Sequence, residues 1–510
     1  MSVRQLASPP YDQRMELEDS APAAPKAKRG SGGKVFGVAG LAVFTFSFLA
    51  NANETPQLAT FGLGAIVLFI AAIVLFLGPT AMASAELGST YPRTGGIYVW
   101  TRMAFGEGAG FMVIWLEFAN FVVAWPGIMG TLTIQTAYLI DPAFADNAGF
   151  VAIIAIFVTW AAAGLALRGL RVAKGFAWYS VIAGTLLPAF MLIGFAIAYL
   201  IAGNEPAMEI SAAALVPPID SGNIAFISGA LLMFSGIEIA AIHAGDVRDP
   251  GRTIPRANLI AVVLCFLVFT PLTLAIAVVV PAKDINIVAG LVQSGEAMFG
   301  VFNAGWLTWV LTFLLVTGLM AALIQILGGP SRGLVVAGRV GGNLPPFLQR
   351  ENRNRMPVAI ILAQAAVSSV LALGYGVLGS VQNAWFVFAI IQTNMTLLMY
   401  LMMLAAVVKL RYSRPQDPRP YRIPGRWAGL WTVIGIGCIT SLGALLVSLF
   451  PTEEAAGMPP ALYVGIVVAG TAVFAGMPFV FWLFRKPSWK TEQEDPANSA
   501  SADPEALASA

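Results

Sequence analysis

Long apolar segments alternate with short polar stretches along most of the chain. Each segment reaches roughly the 20 residues that an α-helix needs to cross a hydrocarbon core about 30 Å thick. The segments cover residues 35–53, 60–88, 108–139, 149–167, 175–201, 223–245, 257–281, 303–328, 357–377, 384–408, 428–449 and 461–484. This pattern predicts an all-α polytopic membrane protein with twelve transmembrane helices.

The basic residues between the segments lie almost entirely on one side of the predicted membrane. The chain has 29 Lys and Arg, and all but Lys283 fall in the tails or the inner loops if both termini are cytoplasmic. Because cytoplasmic loops carry an excess of Lys and Arg, the asymmetry predicts that both termini face the cytoplasm. The net charge of only +2 conceals this basic inner face, which indicates membrane orientation and not a nucleic-acid partner.

The two ends of the chain differ in composition from the apolar region between them. Residues 1–34 and 485–510 are polar, so we expect disordered cytoplasmic tails that flank one membrane domain at 35–484. Cys265 and Cys438 both fall inside predicted spans, and the chain has a single histidine. This composition favours neither a disulfide framework nor a metal site, and no cofactor is expected.

The first and the sixth apolar segments turn polar within or at the end of the span. The first contains ANANETP at 50–56, and the sixth contains LMFSGIE at 232–238. Interruptions at equivalent positions of two five-helix halves indicate a substrate site near the bilayer midplane, where unwound backbone and helix ends suit the charges of a zwitterion. Asn51 and Ser235 could instead bond across helix contacts. The residues predicted to line the site are Ala50, Asn51, Ala52, Leu232, Ser235 and Gly236.

Polar side chains inside the spans are candidates for gating or for proton coupling. They are Glu54, Glu117, Glu238, His243 and Gln325. A carboxylate that follows a glycine in mid-span is costly without a role, so we assign Glu238 to function. Glu54 could be merely solvated near the outer interface, and Glu117 could belong to the scaffold. For His243 we favour a structural hydrogen bond.

Several short motifs share their sequence with one family of membrane proteins. They are AEL at 85–87, YPRTGGIY at 91–98, FSGIE at 234–238 and DPGRTIP at 249–255. Together they resemble the amino acid/polyamine/organocation transporter superfamily, from about residue 35 to 484. Further motifs resemble the bacterial glutamate/GABA antiporter group; they lie at 186–190, 329–334, 343–345 and 356–358.

The resemblance implies a fold, a function and a location. It implies a five-plus-five inverted repeat with broken helices 1 and 6 and two extra helices, in the inner membrane of a bacterium. It also implies exchange of an amino acid for another amino acid or for its decarboxylated amine, with that small molecule and the lipid bilayer as partners. Many relatives carry Gly-Ser-Gly at the first break, where this chain has Ala50-Asn51-Ala52.

Three other classes of function compete with exchange. An intramembrane enzyme would need catalytic parts such as a His-Glu-x-x-His motif, which a chain with one histidine cannot form. A channel would need a continuous polar lining, whereas the polar residues gather at two breaks. A proton-coupled symporter on the same fold stays open as an alternative. Some relatives place a lysine in segment 5, but residues 175–201 contain no Lys or Arg.

Overall fold

The computed structural model describes most of the chain as a bundle of helices. The described ranges are 37–49, 52–93, 95–168, 178–219, 224–238, 247–354, 356–377, 381–451 and 458–490. Twelve helices in these ranges correspond to the twelve apolar segments: α1 Val38–Leu49, α2 Gly64–Thr90, α3 Glu107–Ile140, α4 Ala148–Ala166, α5 Trp178–Ile201, α6 Phe226–Met233, α7 Pro250–Val279, α8 Trp306–Gly341, α9 Val358–Ala372, α10 Val381–Ser413, α11 Arg426–Val447 and α12 Pro460–Phe484. The prediction of a polytopic helical membrane protein is confirmed.

Nine of these helices are long and apolar enough to cross a membrane, counted over the described residues. The three shorter ones are α1, α6 and α9. Helix α6 is short because it ends at a break, which is what the sequence predicts for segment 6. Residues 50–51, which follow α1, lie outside the described residues, and a short turn at Ala52–Glu54 comes after them. The inverted repeat would place α1 and α6 at equivalent positions, and the symmetry itself stays a prediction.

Two of the long helices contain a widened π-helical turn just before a proline. In α2 the turn spans Ile73–Leu77 and precedes Pro79, and in α5 it spans Ile182–Leu186 and precedes Pro188. Proline lacks an N–H and its ring collides with the carbonyl four residues back, so a wider turn lets the helix continue past it. Both helices therefore stay continuous across the membrane.

Helices α3, α7 and α10 are the most buried of the long helices. Helix α3 packs against α8 and α10, while α7 packs against α1 and α2. Helices α5 and α8 approach so closely that a Cβ on Gly318 would overlap the Cα of Gly184. Helix α12 lies at the outside, where apolar side chains such as Leu483 and Phe484 are exposed. Such a surface suits contact with lipid.

A buried ion pair joins α2 to α10 at the predicted cytoplasmic end. The Glu86 carboxylate accepts hydrogen bonds from Arg411 Nε at 2.8 Å, from Arg411 Nη2 and from the backbone N–H of Ile423 at 2.8 Å. Arg419 Nε adds a fourth contact, 3.6 Å from Glu86 Oε1. Nearby, Tyr91 donates to Asp417 at 2.7 Å, and burial together with this carboxylate raises the pKa of Tyr91. Tyr91 therefore stays a neutral donor.

The predicted tails lie mostly outside the described residues. Residues 1–36 and 491–510 belong to that part. The first residues of the predicted C-terminal tail, 485–490, are described and lie against the loop after α8. There the Gln349 side-chain amide donates to the carbonyl of Trp489 at 2.8 Å.

The predicted orientation can be tested with single cysteines in a chain whose Cys265 and Cys438 are replaced by alanine. Asn147 and Ser413 are exposed at opposite ends of the bundle. We expect Asn147→Cys to react with a membrane-impermeant thiol reagent added to intact cells, and Ser413→Cys to react only after the cells are opened, because both termini are predicted to be cytoplasmic. The reverse labelling pattern would contradict the orientation.

Candidate functional site

Helix α6 loses its helical conformation in the middle of its apolar segment. The helix ends at Met233, and residues 234–238 leave the helical pattern. Gly236 has a φ of +108°, a backbone conformation that side chains with a Cβ rarely adopt. Its N–H donates a 2.7 Å hydrogen bond to the hydroxyl oxygen of Tyr400 on α10. The glycine thus allows the break, and Tyr400 satisfies the exposed backbone donor.

Tyr400 also binds the carboxylate that follows the break. Its O–H donates to Glu238, and both side chains are almost fully buried. Phe76, on the π-helical turn of α2, packs edge-on against the Tyr400 ring with 5.4 Å between centroids. One hydroxyl group therefore ties a backbone N–H and a buried carboxylate of α6 to α10, with α2 packed beside it.

The break after α1 is arranged differently. The turn Ala52–Glu54 leads into the short helix Thr55–Ala59, and the Thr55 hydroxyl donates to the Ala52 carbonyl at 2.6 Å. Glu54 is buried and accepts a 2.8 Å hydrogen bond from the Gln57 amide. The Asn53 side chain accepts a hydrogen bond from Gln135 of α3 at 3.0 Å. This break is therefore held by amide groups.

The two breaks are neighbours in space, and each is followed by a buried carboxylate. The turn Ala52–Glu54 contacts the helical part of α6. Glu54 lies towards the predicted outer side of the first break, and Glu238 lies towards the predicted cytoplasmic side of the second. A site between the breaks would thus have one carboxylate near each exit.

Glu117 on α3 lies at the level of Tyr400. One turn away on the same face of α3, Asn120 donates to Thr396 and, at 3.3 Å, to the carbonyl of Gln392, which fixes the register of α3 on α10. Glu117 lies one turn before Asn120 on α3, and Tyr400 lies one turn after Thr396 on α10. Because the two helices are predicted to run in opposite directions, both residues lie one turn from these contacts towards the predicted cytoplasmic side. Glu117 is close enough to Glu238 for the two carboxylates to interact electrostatically. Its Oε2 is buried without a hydrogen-bond partner among the described residues.

Comparison with known proteins identifies the family. Residues 33–473 match the family described as amino acid permease. The chain belongs to this family. The permease is 32% identical to an uncharacterized transporter of Legionella pneumophila, over 89% of this chain and 97% of the relative. It is 27% identical to a glutamate/gamma-aminobutyrate antiporter of Lactococcus lactis, over 91% and 93%, and 24% identical to a probable agmatine/putrescine antiporter of the same species, over 81% and 87%.

The permease is therefore a membrane transporter and not an enzyme. The pentapeptide Gly329-Pro330-Ser331-Arg332-Gly333 does have the Gly-x-Ser-x-Gly spacing of some hydrolase nucleophiles. In the structure Ser331 lies inside α8, fully buried, and donates to the carbonyl of Leu327 at 2.7 Å. A serine in this position is a helix-packing residue and not an exposed nucleophile.

Among the described residues, the permease site contains carboxyl groups but no buried basic side chain beside them. Glu54 and Glu238 are buried, and Glu117 adds a third carboxyl group near Glu238. Arg411 is the one fully buried basic side chain in the described part of the chain, and it pairs with Glu86 at the predicted cytoplasmic end. Charge near the breaks must therefore be balanced by protons or by a ligand that carries a cationic group.

The structure describes six of the eleven predicted site residues in full. They are Ala52, Ser235, Gly236, Glu54, Glu117 and Glu238; all but Glu117 lie at the two breaks, and Glu117 lies near Glu238. Ala50, Asn51 and His243 lie outside the described residues, and only the helix positions of Leu232 in α6 and Gln325 in α8 are described. The roles of all eleven stay predictions. Tyr400 was not among the residues predicted from the sequence.

Proposed function

We propose that this permease exchanges one amino acid, or its decarboxylated amine, for another by alternating access across the inner membrane of a bacterium. The observation that carries the proposal is the double contact of Tyr400 with Gly236 N–H and the Glu238 carboxylate. Two relatives that are named as antiporters, one for glutamate/gamma-aminobutyrate and one, a probable antiporter, for agmatine/putrescine, support the choice of exchange.

The Tyr400 contact gives a physical reason for exchange. Opening towards the predicted cytoplasmic side separates Tyr400 from α6, which leaves a backbone donor and a carboxylate without partners. Each unsatisfied buried polar group costs about 1–3 kcal/mol, and a charged group costs more. A bound zwitterion or amine can take the place of the hydroxyl, because its ammonium group binds a carboxylate and its carboxylate binds an N–H. An empty carrier has no such replacement, so its return should be slow.

Counterflow in proteoliposomes tests this function. Vesicles are loaded with glutamate, gamma-aminobutyrate, agmatine, putrescine or leucine, and the uptake of each labelled compound is compared with uptake into empty vesicles. We expect internal substrate to raise initial uptake at least roughly tenfold, which corresponds to about 1.4 kcal/mol of barrier. Vesicles that contain the Glu238→Gln variant serve as the matched control for nonspecific leak. Equal uptake into loaded and empty vesicles would reject exchange.

A proton-coupled symporter is the second candidate, and it is favoured by one observation. Glu117 Oε2 is buried without a hydrogen-bond partner in the described part of the chain, beside Glu238. A proton on Glu117 would remove one of two neighbouring charges and could allow an empty carrier to return. We expect a symporter to accumulate substrate in empty vesicles under an imposed proton gradient, and Glu117→Gln to abolish this accumulation while counterflow persists.

A further inference from the structure

An apolar groove lies between α3, α10 and α12, away from the two breaks. Its cavity volume is about 640 Å³, and its walls include Met112, Leu116, Leu398, Met402, Ala475 and Phe479. All the residues that line it are apolar. The groove opens to the outside of the bundle, where Phe105 is 46% exposed and Phe479 is 58% exposed. A membrane protein presents this kind of surface to lipid chains.

Basic side chains stand at the predicted cytoplasmic end of the groove. Lys409 lies one turn beyond the lining residue Ala405 on the same face of α10, and it is exposed. Arg485 and Lys486 follow the last turn of α12 and are also exposed. The Arg485 guanidinium stacks on Trp482 at 5.1 Å from the ring centroid, which orients it at the end of the helix.

The end of α12 lies next to the start of α3, so these charges flank the mouth of the groove. A Cβ on Gly108 would lie 3.8 Å from Trp482 Nε1. Phe105, which lines the groove, precedes Gly108 by three residues. The apolar walls and the basic groups therefore belong to one continuous surface.

We propose that this groove binds an anionic phospholipid of the cytoplasmic leaflet, with an acyl chain between α3, α10 and α12 and the phosphate near Lys409, Arg485 and Lys486. Basic pockets between transmembrane helices on the cytoplasmic side are suited to anionic headgroups, because each basic residue near the surface attracts the negative charge of the phosphate. A second copy of this chain fits less well, because a twofold dimer in one membrane would bring the basic clusters of both copies to the same end.

The groove also touches α3 and α10, which carry Glu117 and Tyr400. Leu116 and Leu401 line it and are the chain neighbours of Glu117 and Tyr400. Lipid in the groove would therefore press on α3 and α10 at the level of the Tyr400 contact. Binding of the lipid does not depend on the transported substrate, so it can be tested without any transport assay.

The test measures lipid binding to the purified full chain in detergent by native mass spectrometry. The probes are palmitoyl-oleoyl phosphatidylglycerol and palmitoyl-oleoyl phosphatidylcholine, which share acyl chains and differ in headgroup charge. We expect one phosphatidylglycerol to bind at least tenfold more tightly than phosphatidylcholine. The triple variant Lys409→Gln, Arg485→Gln, Lys486→Gln should lose this preference. Lys283→Gln, which changes the one basic residue on the predicted outer side, should keep it.

A second variant tests the acyl-chain part of the site. Ala475→Trp fills the groove and should reduce binding of both lipids at least tenfold, whereas Val473→Trp, at an exposed position of the same helix outside the groove lining, should not. The exposed charge substitutions leave the packed interior unchanged, so they decide the headgroup question even if Ala475→Trp does not fold. Equal affinity for the two lipids, or a triple variant that binds like the wild type, overturns the proposal. If the protein forms a dimer that Ala475→Trp dissociates while lipid binding is unchanged, the groove binds a second copy of the chain. That result also overturns the proposal.

Discussion

Replacing Tyr400 by phenylalanine should open the predicted cytoplasmic side of the site. The hydroxyl group holds Gly236 N–H at 2.7 Å and donates to Glu238, so its removal leaves two buried polar groups of α6 without this partner. A hydrogen bond to a charged group contributes about 1.5–3 kcal/mol, which shifts an equilibrium between closed and open forms by roughly 10- to 100-fold. The measurement uses Ser235→Cys, next to Gly236, as a reporter. We expect this cysteine to react with a charged thiol reagent added from the predicted cytoplasmic side at least tenfold faster in the Tyr400→Phe variant than in a protein that keeps Tyr400.

The same substitution should impair exchange, and a double variant shows whether the Tyr400–Glu238 contact is responsible. We expect Tyr400→Phe and Glu238→Gln each to lower counterflow by roughly tenfold or more, about 1.4 kcal/mol of barrier. Because Tyr400→Phe removes this contact and Glu238→Gln weakens the same contact, the double variant should be no slower than the slower single variant. Tyr375→Phe is the matched control, since Tyr375 is equally buried but donates to the carbonyl of Pro126 in α3. If the losses of counterflow rate multiply in the double variant, or if Tyr375→Phe loses as much as Tyr400→Phe, the Tyr400–Glu238 contact does not control exchange.

The membrane fold could be predicted from the chain because its signal is local. A run of about twenty mainly apolar residues predicts a transmembrane helix, whatever other helices pack against it. The breaks were also local, since Gly236 and Glu238 interrupt an apolar run within a few positions. The internal shape of the helices was less accessible. The π-helical turns before Pro79 and Pro188 depend on how each helix continues beyond the proline, which the apolar pattern does not encode.

The partners of the site residues could not be predicted, because they come from distant parts of the chain. Tyr400 is 162 positions from Glu238. The register of α3 on α10, which places Glu117 at the level of Tyr400, likewise depends on contacts between residues 272 and 276 positions apart. One signal was present: Tyr400 stands in an apolar run of α10, where a buried phenol needs a partner for its hydroxyl group. The AEL motif likewise indicated the family but gave no sign that Glu86 meets Arg411, 325 positions away.

Removing the Glu86 carboxylate should cause the largest loss of stability among single substitutions in this part of the chain. The side chains of Glu86 and Arg411 are 3% and 2% exposed, so Glu86→Ala leaves a buried guanidinium without its counter-ion. Breaking a buried ion pair on one side costs about 3–5 kcal/mol. We expect a marked fall in the melting temperature of the purified protein in detergent, and lower yield of monodisperse protein.

Replacing both partners separates this cost from a simple loss of packing. Apolar residues of similar size often substitute for a buried ion pair with little loss, so Glu86→Met with Arg411→Met should recover much of the stability that Glu86→Ala loses. Recovery should be incomplete, because Arg419 and the N–H of Ile423 also bind the Glu86 carboxylate. The exposed pair Arg252–Asp249, 3.9 Å apart with side chains 80% and 63% exposed, provides the control. Arg252→Ala should leave the melting temperature unchanged. A double methionine variant as unstable as Glu86→Ala would show that the ion pair itself, and not an uncompensated Arg411 charge, holds α2 to the helix that carries Tyr400.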